Sequence, residues 1–473
     1  MHTGHHLKNI SQRAMNKLRW MKTDVQPLKA LLLMLLLLAQ SSVPVLAQGK
    51  PLTIIYSGNL DGELEPCGCS DEGNFGGIKR RATVLDRLRS ESPGLIALSA
   101  GGLISSEGPN DRLKAEYILK GFAALHYDAI AMQWHDLGYG LGFISHDALP
   151  WVASNWQGNA FSKQNASGKQ GVVSKQKIIQ RTIAGKHYLL AFFNWLDPDS
   201  SPLREMKGKH AVVSEDRQSL LSAIAAVKAQ GMLTVLSTTL PLELVQEALS
   251  LKNVDMLLVR AKYEVFGEPK MLGHTLVLQP GSRGMRIARV DLTLDSHARI
   301  KQWNHTIIPM PESVPDAPRM AAWYQAFNDS VKQDYLKRVE LKKQFTSGES
   351  PYIGAEACKT CHAAQYKVWQ ASKHATAFEA LEGVNKSFDP SCIQCHVVGF
   401  EKPGGFVDIA MSGHLTNVQC ENCHGAGRQH AASKGKQKVP NADWPRKKIC
   451  AQCHTHPHSP AFNVDSYWPK IAH

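Results

Sequence analysis

Residues 358–362 read CKTCH, and the same C-x-x-C-H pattern returns as CIQCH at 392–396, CENCH at 420–424 and CAQCH at 450–454. Two thiols three residues apart reach both vinyl groups of one haem, and the adjacent histidine is placed to ligate the iron from the proximal side. Zinc sites and disulfide frameworks also use C-x-x-C pairs, but neither needs a histidine directly after every second cysteine. The pattern therefore predicts four covalent haems c in the last quarter of the chain.

The predicted attachment sites define a separate domain. Its thioether cysteines are Cys358, Cys361, Cys392, Cys395, Cys420, Cys423, Cys450 and Cys453, and its proximal ligands are His362, His396, His424 and His454. Four haems between residues 351 and 473 leave roughly thirty residues for each, too few for a conventional apolar core. We therefore expect a mainly α-helical and irregular multihaem domain at 351–473, built from short helices and loops around the porphyrins.

Each haem iron also needs a sixth ligand or an open face where a substrate binds. Outside the four motifs the segment offers six histidines, namely His374, His414, His430, His456, His458 and His473. It offers one methionine, Met411, so His/Met ligation is available to one haem at most. Bis-histidine ligation, which gives lower potentials, is the expected default.

Residues 351–473 resemble the tetrahaem cytochromes c that accept electrons from hydroxylamine oxidoreductase. The resemblance is carried by YIGAEACKTCHAAQYKVWQASKHATAF, NVQCENCHGAGRQH and CAQCHTHPHSPAFNVDSYWPKIAH. It implies that His374, His430 and His473 are distal ligands and that one haem lacks a strong distal ligand. His414, His456 and His458 stay open as candidates for that fourth iron, although a surface role suits each of them better.

The front part of the chain alternates apolar strands with helical patterns, beginning with LTIIYS, GIKRRATVLDRLRS and GLIALS after Leu52. This order predicts a layered α/β domain at 48–310, with a second sheet from later runs such as MLTVLSTTL and HTLVLQP. Residues 311–350 contain PESVPDAP, a helix-like WYQAFNDSVKQDYLKRVELKKQ and TSGES. They are expected to form a linker and a helical strut.

The order of elements over about residues 50–310 resembles calcineurin-type metallophosphoesterases of the 5′-nucleotidase sort. The resemblance lies in LTIIYSGNLDGEL, ALSAGG, WHDLGYG and HTLVLQPGSRGMRIARVDLTLD. Such enzymes hold two cations with Asp and His on the first strand, Asp on the second, and Asn-His on a third loop. The corresponding positions here are Asn59 and Asp61, Ser99 and Gly102, and Trp134 before His135. We therefore expect a non-catalytic domain that docks a partner or a small ligand in the cleft that corresponds to the cation site of those enzymes.

Cys67 and Cys69, in the loop sequence EPCGC, are the two cysteines outside the four haem-attachment motifs. They are candidate redox thiols, with a strained C-x-C disulfide, a free dithiol and a soft-metal site as the open alternatives. Exported phosphoesterase-like proteins with such a loop and a following G-G-x-x-R-R often accompany multihaem domains. That resemblance implies thiol chemistry connected to electron flow.

Residues 1–47 read as a secretory signal peptide, with the apolar run ALLLMLLLLA at 30–39 and a cleavage site after Ala47. A run of this length is too short for a permanent span. We expect a periplasmic protein without a transmembrane span after cleavage, or a membrane-associated one if the leader is retained. The formal charge of +13 does not indicate nucleic-acid binding, because residues 351–473 hold 13 basic against 9 acidic side chains and four haems would add about eight propionates.

Three functions fit this sequence, and they follow in decreasing order of support from the sequence. The first is electron transfer between periplasmic or membrane-bound donor and acceptor proteins. The second is a multihaem oxidoreductase acting on a small nitrogen or sulfur compound at an open haem. The third is an active phosphoesterase with an appended cytochrome, which the altered cation ligands disfavour. All four motifs end in histidine, so the C-x-x-C-K haem of dissimilatory nitrite reductases is missing.

Overall fold

The computed structural model describes residues 50–66, 74–106, 108, 111–145, 149–157, 173–202, 213–259, 266–345, 348–456 and 458–473. These residues belong to one structural unit, Lys50–His473. The predicted leader at 1–47 and the Cys67/Cys69 pair lie outside the described residues.

The front part of the unit is built on β-strands. In chain order they are β1 (Leu52–Ser57), β2 (Ile96–Ser99), β3 (Ala129–Ala131), β4 (Trp151–Val152), β5 (Lys177–Ile183), β6 (Lys186–Trp195), β7 (Leu233–Thr238), β8 (Met256–Val259), β9 (Gly267–Leu272), β10 (Thr275–Gln279), β11 (Arg286–Leu294) and β12 (Ile300–Pro309). They form two sheets with the orders β12-β11-β1-β2-β3-β4 and β5-β6-β7-β8-β10-β9.

Both sheets are mixed. Strands β1 to β4 run parallel, and β11 and β12 join that sheet as an antiparallel hairpin beside β1. In the second sheet β6, β7, β8 and β10 run parallel, with β5 and β9 antiparallel at the two edges. All six residues of β1 are buried, as expected for a central strand that is covered on both faces.

Side-chain alternation along the strands explains how the layers stack. Ile54 and Tyr56 of β1 lie in one apolar cluster with Phe192 and Val235 of the second sheet. Ile55, between them in sequence, points to the opposite face and packs among the helices. Because successive strand side chains face opposite sides, one strand contributes to both cores. The result is an α/β layered arrangement, which confirms the predicted fold class.

The helices fall into two groups. Those of the front part are α1 (Ile78–Glu91), α2 (Asp111–Leu125), α3 (Leu141–Ile144), α4 (Arg217–Ala229) and α5 (Leu242–Ala248). A long helix, α6 (Ala321–Phe345), follows the β11–β12 hairpin and falls within the predicted strut. The last segment holds α7 (Ala355–Lys359), α8 (Ala363–Gln370), α9 (Ala377–Gly383), α10 (Pro390–His396), α11 (Ile409–Ser412), α12 (Cys420–His424), α13 (Arg428–Ala432), α14 (Arg446–Cys450) and α15 (Val464–Tyr467).

Helix α6 joins the front part to the last segment through packing on both sides. Trp323 Nε1 donates to the Tyr117 carbonyl of α2 at 3.0 Å, and the Tyr335 hydroxyl donates to the Val407 carbonyl at 3.1 Å. Phe327, between them, is fully buried. A single apolar cluster therefore continues from the front sheet through α6 into the last segment.

The last segment has two differently built halves. Residues such as Phe378, Ile393, Phe406 and Leu415 are buried in the shared apolar cluster. The expectation that the segment is too small for a conventional apolar core is therefore wrong for this first half. From residue 428 onward no described residue is buried, which fits a chain folded around bulky groups that the polypeptide itself does not supply. This half is helical and irregular, as predicted.

Within the described parts of the chain, we find no helix that combines the length and the apolar character needed to cross a membrane.

Candidate haem-binding sites

The first attachment motif lies at the end of α7 and brings its histidine against another. The ring centroids of His362 and His430 are 6.1 Å apart and nearly parallel, with an interplanar angle of 22°. His430 is on α13, and its Nδ1 is 2.7 Å from the carbonyl oxygen of Gln437. A carbonyl can only accept, so this contact assigns the proton to Nδ1 and leaves Nε2 free as a ligand atom.

The third motif forms helix α12 and has the same arrangement. The rings of His424 and His473 have centroids 5.9 Å apart at 55°. His473 Nδ1 lies 2.9 Å from the Ile471 carbonyl oxygen, which again leaves Nε2 available. Burial lowers the pKa of His424, and the charges of His473 and His362 lower it further. A neutral imidazole is the form that binds a metal.

The fourth motif reaches back to the start of the segment for its partner. His454 and His374 have ring centroids 6.3 Å apart at 46°. His374 lies on a 3-10 helix at Lys373–Thr376, and burial lowers its pKa. His454 is also stacked on Phe462, with centroids 4.2 Å apart.

The second motif, on α10, is arranged differently. His396 Nδ1 is 2.5 Å from the Ala377 carbonyl oxygen, which leaves its Nε2 free, as in His430 and His473. The three histidine–histidine contacts use His374, His430 and His473 and leave His396 outside all of them. His414 and Met411 are both exposed.

The measured separations fit a haem iron. An iron with a ligand nitrogen about 2 Å away on each side separates two imidazole centroids by roughly 6 Å. The three pairs lie at 5.9–6.3 Å, and each includes the histidine of a C-x-x-C-H motif. The donor set, two thiols and two imidazoles for each of these sites, therefore fits covalent haem c.

Contacts between cysteines give the spatial order of the four sites. The thiols of Cys358 and Cys420 lie within hydrogen-bonding reach, which raises the pKa of Cys358 and lowers that of Cys420. Cys453 and Cys395 make the same kind of contact, which lowers the pKa of Cys453. Burial, together with the neighbouring Cys450, raises the pKa of Cys423 to about 11. The sites therefore run in the order first, third, fourth, second.

The front domain has an amide network where the phosphoesterase resemblance places cation ligands. Gln133 Nε2 donates to Asn59 Oδ1 at 2.8 Å and to the Ala100 carbonyl at 2.7 Å. Asn59 Nδ2 donates to Asp61 Oδ1 at 3.2 Å. A Cβ atom added to Gly102 would lie 2.6 Å from Asn59 Cγ. A carboxylate at position 102 is therefore incompatible with this placement of Asn59.

The neighbouring acidic side chain is used to hold the backbone. Asp136 is fully buried, and its carboxylate accepts from the backbone N–H groups of Gly102, Leu103, Ile104 and Gln133 at 2.6–3.4 Å. Burial raises the pKa of Asp136 to about 6, although these N–H groups favour its charged form.

The other residues at positions where the resemblance expects cation ligands are not directed toward one common site. Trp134 Nε1 donates to the Asp197 carbonyl at 2.9 Å, Ser99 Oγ accepts from the Gly101 N–H at 3.2 Å, and His135 is exposed. Among the residues that the structure describes, no group of three or more His, Cys, Asp or Glu side chains is arranged to hold a metal ion. The role of Gln133 was not predicted from the sequence, because this residue has no counterpart in the expected ligand pattern.

Residues 357–425 match the protein family described as "Cytochrome c554 and c-prime". The match includes the first three C-x-x-C-H motifs, and the fourth lies beyond it. Cytochrome c-554 of Nitrosomonas europaea is 32% identical over 142 residues, which cover 24% of this chain and 60% of that protein. The chain thus spans 60% of the length of this relative. The family match implies haem c in this segment.

The front part has different relatives. Snake venom 5′-nucleotidase of Crotalus adamanteus is 25% identical over 138 residues, covering 27% of this chain and 24% of that protein. The crystal structure of a 5′-nucleotidase precursor from Thermus thermophilus aligns with a TM-score of 0.48 at 16% identity, covering 59% of each chain. The resemblances drawn from the sequence, to cytochromes of the c554 type at the end of the chain and to 5′-nucleotidases at its front, are confirmed.

Proposed function

We propose that this chain is an exported electron-transfer protein that holds four covalent haems c and relays single electrons between periplasmic or membrane-bound partners. The observation that carries the proposal is the contact of three of the four motif histidines with a second histidine ring at 5.9–6.3 Å. Six-coordinate iron has no site for a substrate, so such haems serve to store and pass electrons.

The chain's own residues divide this work. The eight motif cysteines hold the cofactors, and the motif histidines are the proximal ligands. The proposed distal ligands are His430 for the first site, His473 for the third and His374 for the fourth. The carbonyl groups that accept from Nδ1 of His430 and His473 orient these rings toward the iron.

The order of the sites supports a linear electron route. The cysteine contacts connect the first site to the third and the fourth site to the second. The third and fourth motifs are joined by a hydrogen bond from Gln452 Nε2 to the Asn422 carbonyl at 3.3 Å. The first and second sites are therefore the two ends. The second end lies against the front domain, because Cys392 is partly buried in the apolar cluster that also contains α6 and the front sheet.

A second candidate function is reduction or oxidation of a small nitrogen or sulfur compound at the second site. It is favoured by one observation, that His396 takes part in none of the three histidine pairs. An iron bound there would keep an open face. The phosphoesterase function is disfavoured, because Asn59 and Gly102 stand where the resemblance expects cation ligands, and the Asn59 side chain is hydrogen-bonded to Gln133.

Location and partners follow from the sequence rather than from the fold. The leader at 1–47 supports export to the periplasm. Between residues 428 and 448 the chain carries seven basic side chains and one acidic side chain, Asp443, and most of the basic ones are exposed. This stretch includes the proposed ligand His430, so it supports docking of redox partners with an acidic surface near the first site.

The proposal is tested by the haem content of denatured protein, made in a host with cytochrome c maturation machinery. A pyridine haemochrome assay is expected to give four haems per chain that resist acid-acetone extraction. A variant with Cys450→Ala and Cys453→Ala is the matched control and is expected to retain three. Fewer than four haems in the parent protein overturns the proposal.

A further inference from the structure

A buried ion-pair cluster connects the front domain to the second haem site. Lys386 lies between α9 and α10, and its side chain is only 11% exposed. Its ammonium donates to a carboxylate oxygen of Glu65 in the front domain at 2.6 Å and to Asn328 Oδ1 of α6 at 2.9 Å. It also lies 3.8 Å from a carboxylate oxygen of Asp389. One cation therefore joins three separate parts of the fold.

Aromatic rings enclose this cation. The Lys386 ammonium is 5.4 Å from the ring centroid of Tyr324 and 5.5 Å from that of Phe327. The Tyr324 hydroxyl donates to the other carboxylate oxygen of Glu65. Burial is the largest single effect and lowers the pKa of Lys386, but the charge and hydrogen bond of Glu65 together with Tyr324 and Asp389 outweigh it, and the pKa is raised. Lys386 is therefore a permanent positive charge held away from water.

The cluster reaches the haem attachment helix through Asp389. The Asp389 side chain is 3% exposed and caps α10 by accepting from the Ser391 N–H at 3.0 Å. This helix carries Cys392, Cys395 and His396. The backbone N–H of Cys392 donates to the carbonyl oxygen of Asp389 at 2.9 Å. The cluster is thus in direct contact with the attachment position.

We propose that Glu65 and Lys386 are positioning residues through which the front domain sets the reduction potential of the haem attached at Cys392 and Cys395. The inference rests on the proposed function, because it needs a haem at the second motif. Oxidised haem carries one more positive charge than reduced haem. A fixed cation nearby favours the reduced form and raises the potential, whereas an anion lowers it, and burial strengthens both effects. The front domain contributes the anion that balances Lys386.

The experiment compares charge-changing variants of the intact holoprotein by potentiometric titration, followed by visible and electron paramagnetic resonance spectra. Lys386→Met is expected to lower the potential of one haem, because Glu65 and Asp389 remain as uncompensated negative charges. Glu65→Gln is expected to raise the potential of the same haem, since Lys386 is then less neutralised. Lys386→Arg keeps the charge and is expected to stay close to the parent.

Lys332 provides the matched control. It is an exposed lysine on α6, with its ammonium 5.9 Å from the ring centroid of Phe388, and Lys332→Met is expected to leave all four potentials unchanged because solvent screens this charge. Loosening of the structure alone would move the potential in the same direction in both Lys386→Met and Glu65→Gln. Shifts of equal sign, or shifts no larger than that of Lys332→Met, overturn the inference.

Haem counting separates this inference from the proposed function. Four haems per chain without the opposed shifts means that the relay stands and the electrostatic role of the front domain does not. Fewer than four haems means that the proposed function fails, and the inference fails with it. If Lys386→Met does not fold, the sign of the shift in Glu65→Gln decides, because Glu65 is partly exposed and Gln preserves its size.

Discussion

Replacing His430 with alanine is expected to convert one haem from a low-spin to a high-spin iron. In the parent protein three sites have a paired histidine and the second does not, so about one quarter of the iron is expected to be high-spin. Loss of one distal ligand raises that share to about one half. His374→Ala and His473→Ala are expected to give the same share, because each removes a different ring of an equivalent pair.

The measurement is the integrated electron paramagnetic resonance intensity of the high-spin signal in oxidised protein, divided by the haem content from the haemochrome assay. His414→Ala is the control: it changes an exposed histidine that belongs to none of the three pairs, and its high-spin share is expected to equal that of the parent. If the three ligand variants also equal the parent, the ligand assignment is refuted. A parent protein with no high-spin iron would refute the open second site.

Three further predictions concern the front domain. With Mn²⁺ added, the intact protein is expected not to hydrolyse nucleotides. The Gly102→Asp variant is expected to stay inactive as well, because its Cβ would lie 2.6 Å from Asn59 Cγ. Nucleotide hydrolysis that a chelator abolishes would contradict both expectations. Asp136→Asn is expected to lower the free energy of unfolding by about 1–3 kcal/mol in urea titrations, since an amide cannot accept from all four backbone N–H groups; an unchanged midpoint would show that these bonds contribute little. Cys67 and Cys69, outside the described residues, are expected to form a disulfide in the oxidising periplasm, and the reduced haems are expected to open it. Electrochemical reduction without added thiol should then expose two alkylatable thiols, and Cys67→Ser is a control that cannot form the bridge. Thiols that stay unlabelled while the haems are reduced would refute the coupling.

Some features were predictable because their chemistry is local. Haem attachment needs two thiols and an imidazole within five consecutive residues, so each site is complete in the sequence. The α/β class of the front domain followed from mostly apolar runs such as LTIIYS that alternate with helical patterns, because a strand buried on both faces carries few polar side chains. The altered cation ligands were visible as substitutions at Asn59 and Gly102, although their replacement by a network with Gln133 was not.

Other features depend on contacts between distant residues. The resemblance to tetrahaem cytochromes implied His374, His430 and His473 as distal ligands, but it did not say which motif each one serves. Only the folded chain brings His374 beside His454 and leaves His396 outside the three pairs. Helical spacing in α6 predicted a strut, but a repeat pattern does not reveal that Phe327 and Tyr335 continue one core into the haem segment.

The sequence by itself determined the number of attachment motifs and the class of the front domain, because those properties depend on residue type and short-range spacing. The tertiary structure decided the pairing of histidines, the order of the sites and the burial of Lys386 between Glu65 and Asp389. A lone lysine in the sequence reads as a solvated surface charge. The charge of Lys386 is buried only because the front domain, α6 and the haem segment pack around it. Their packing depends on apolar surfaces that are far apart along the chain.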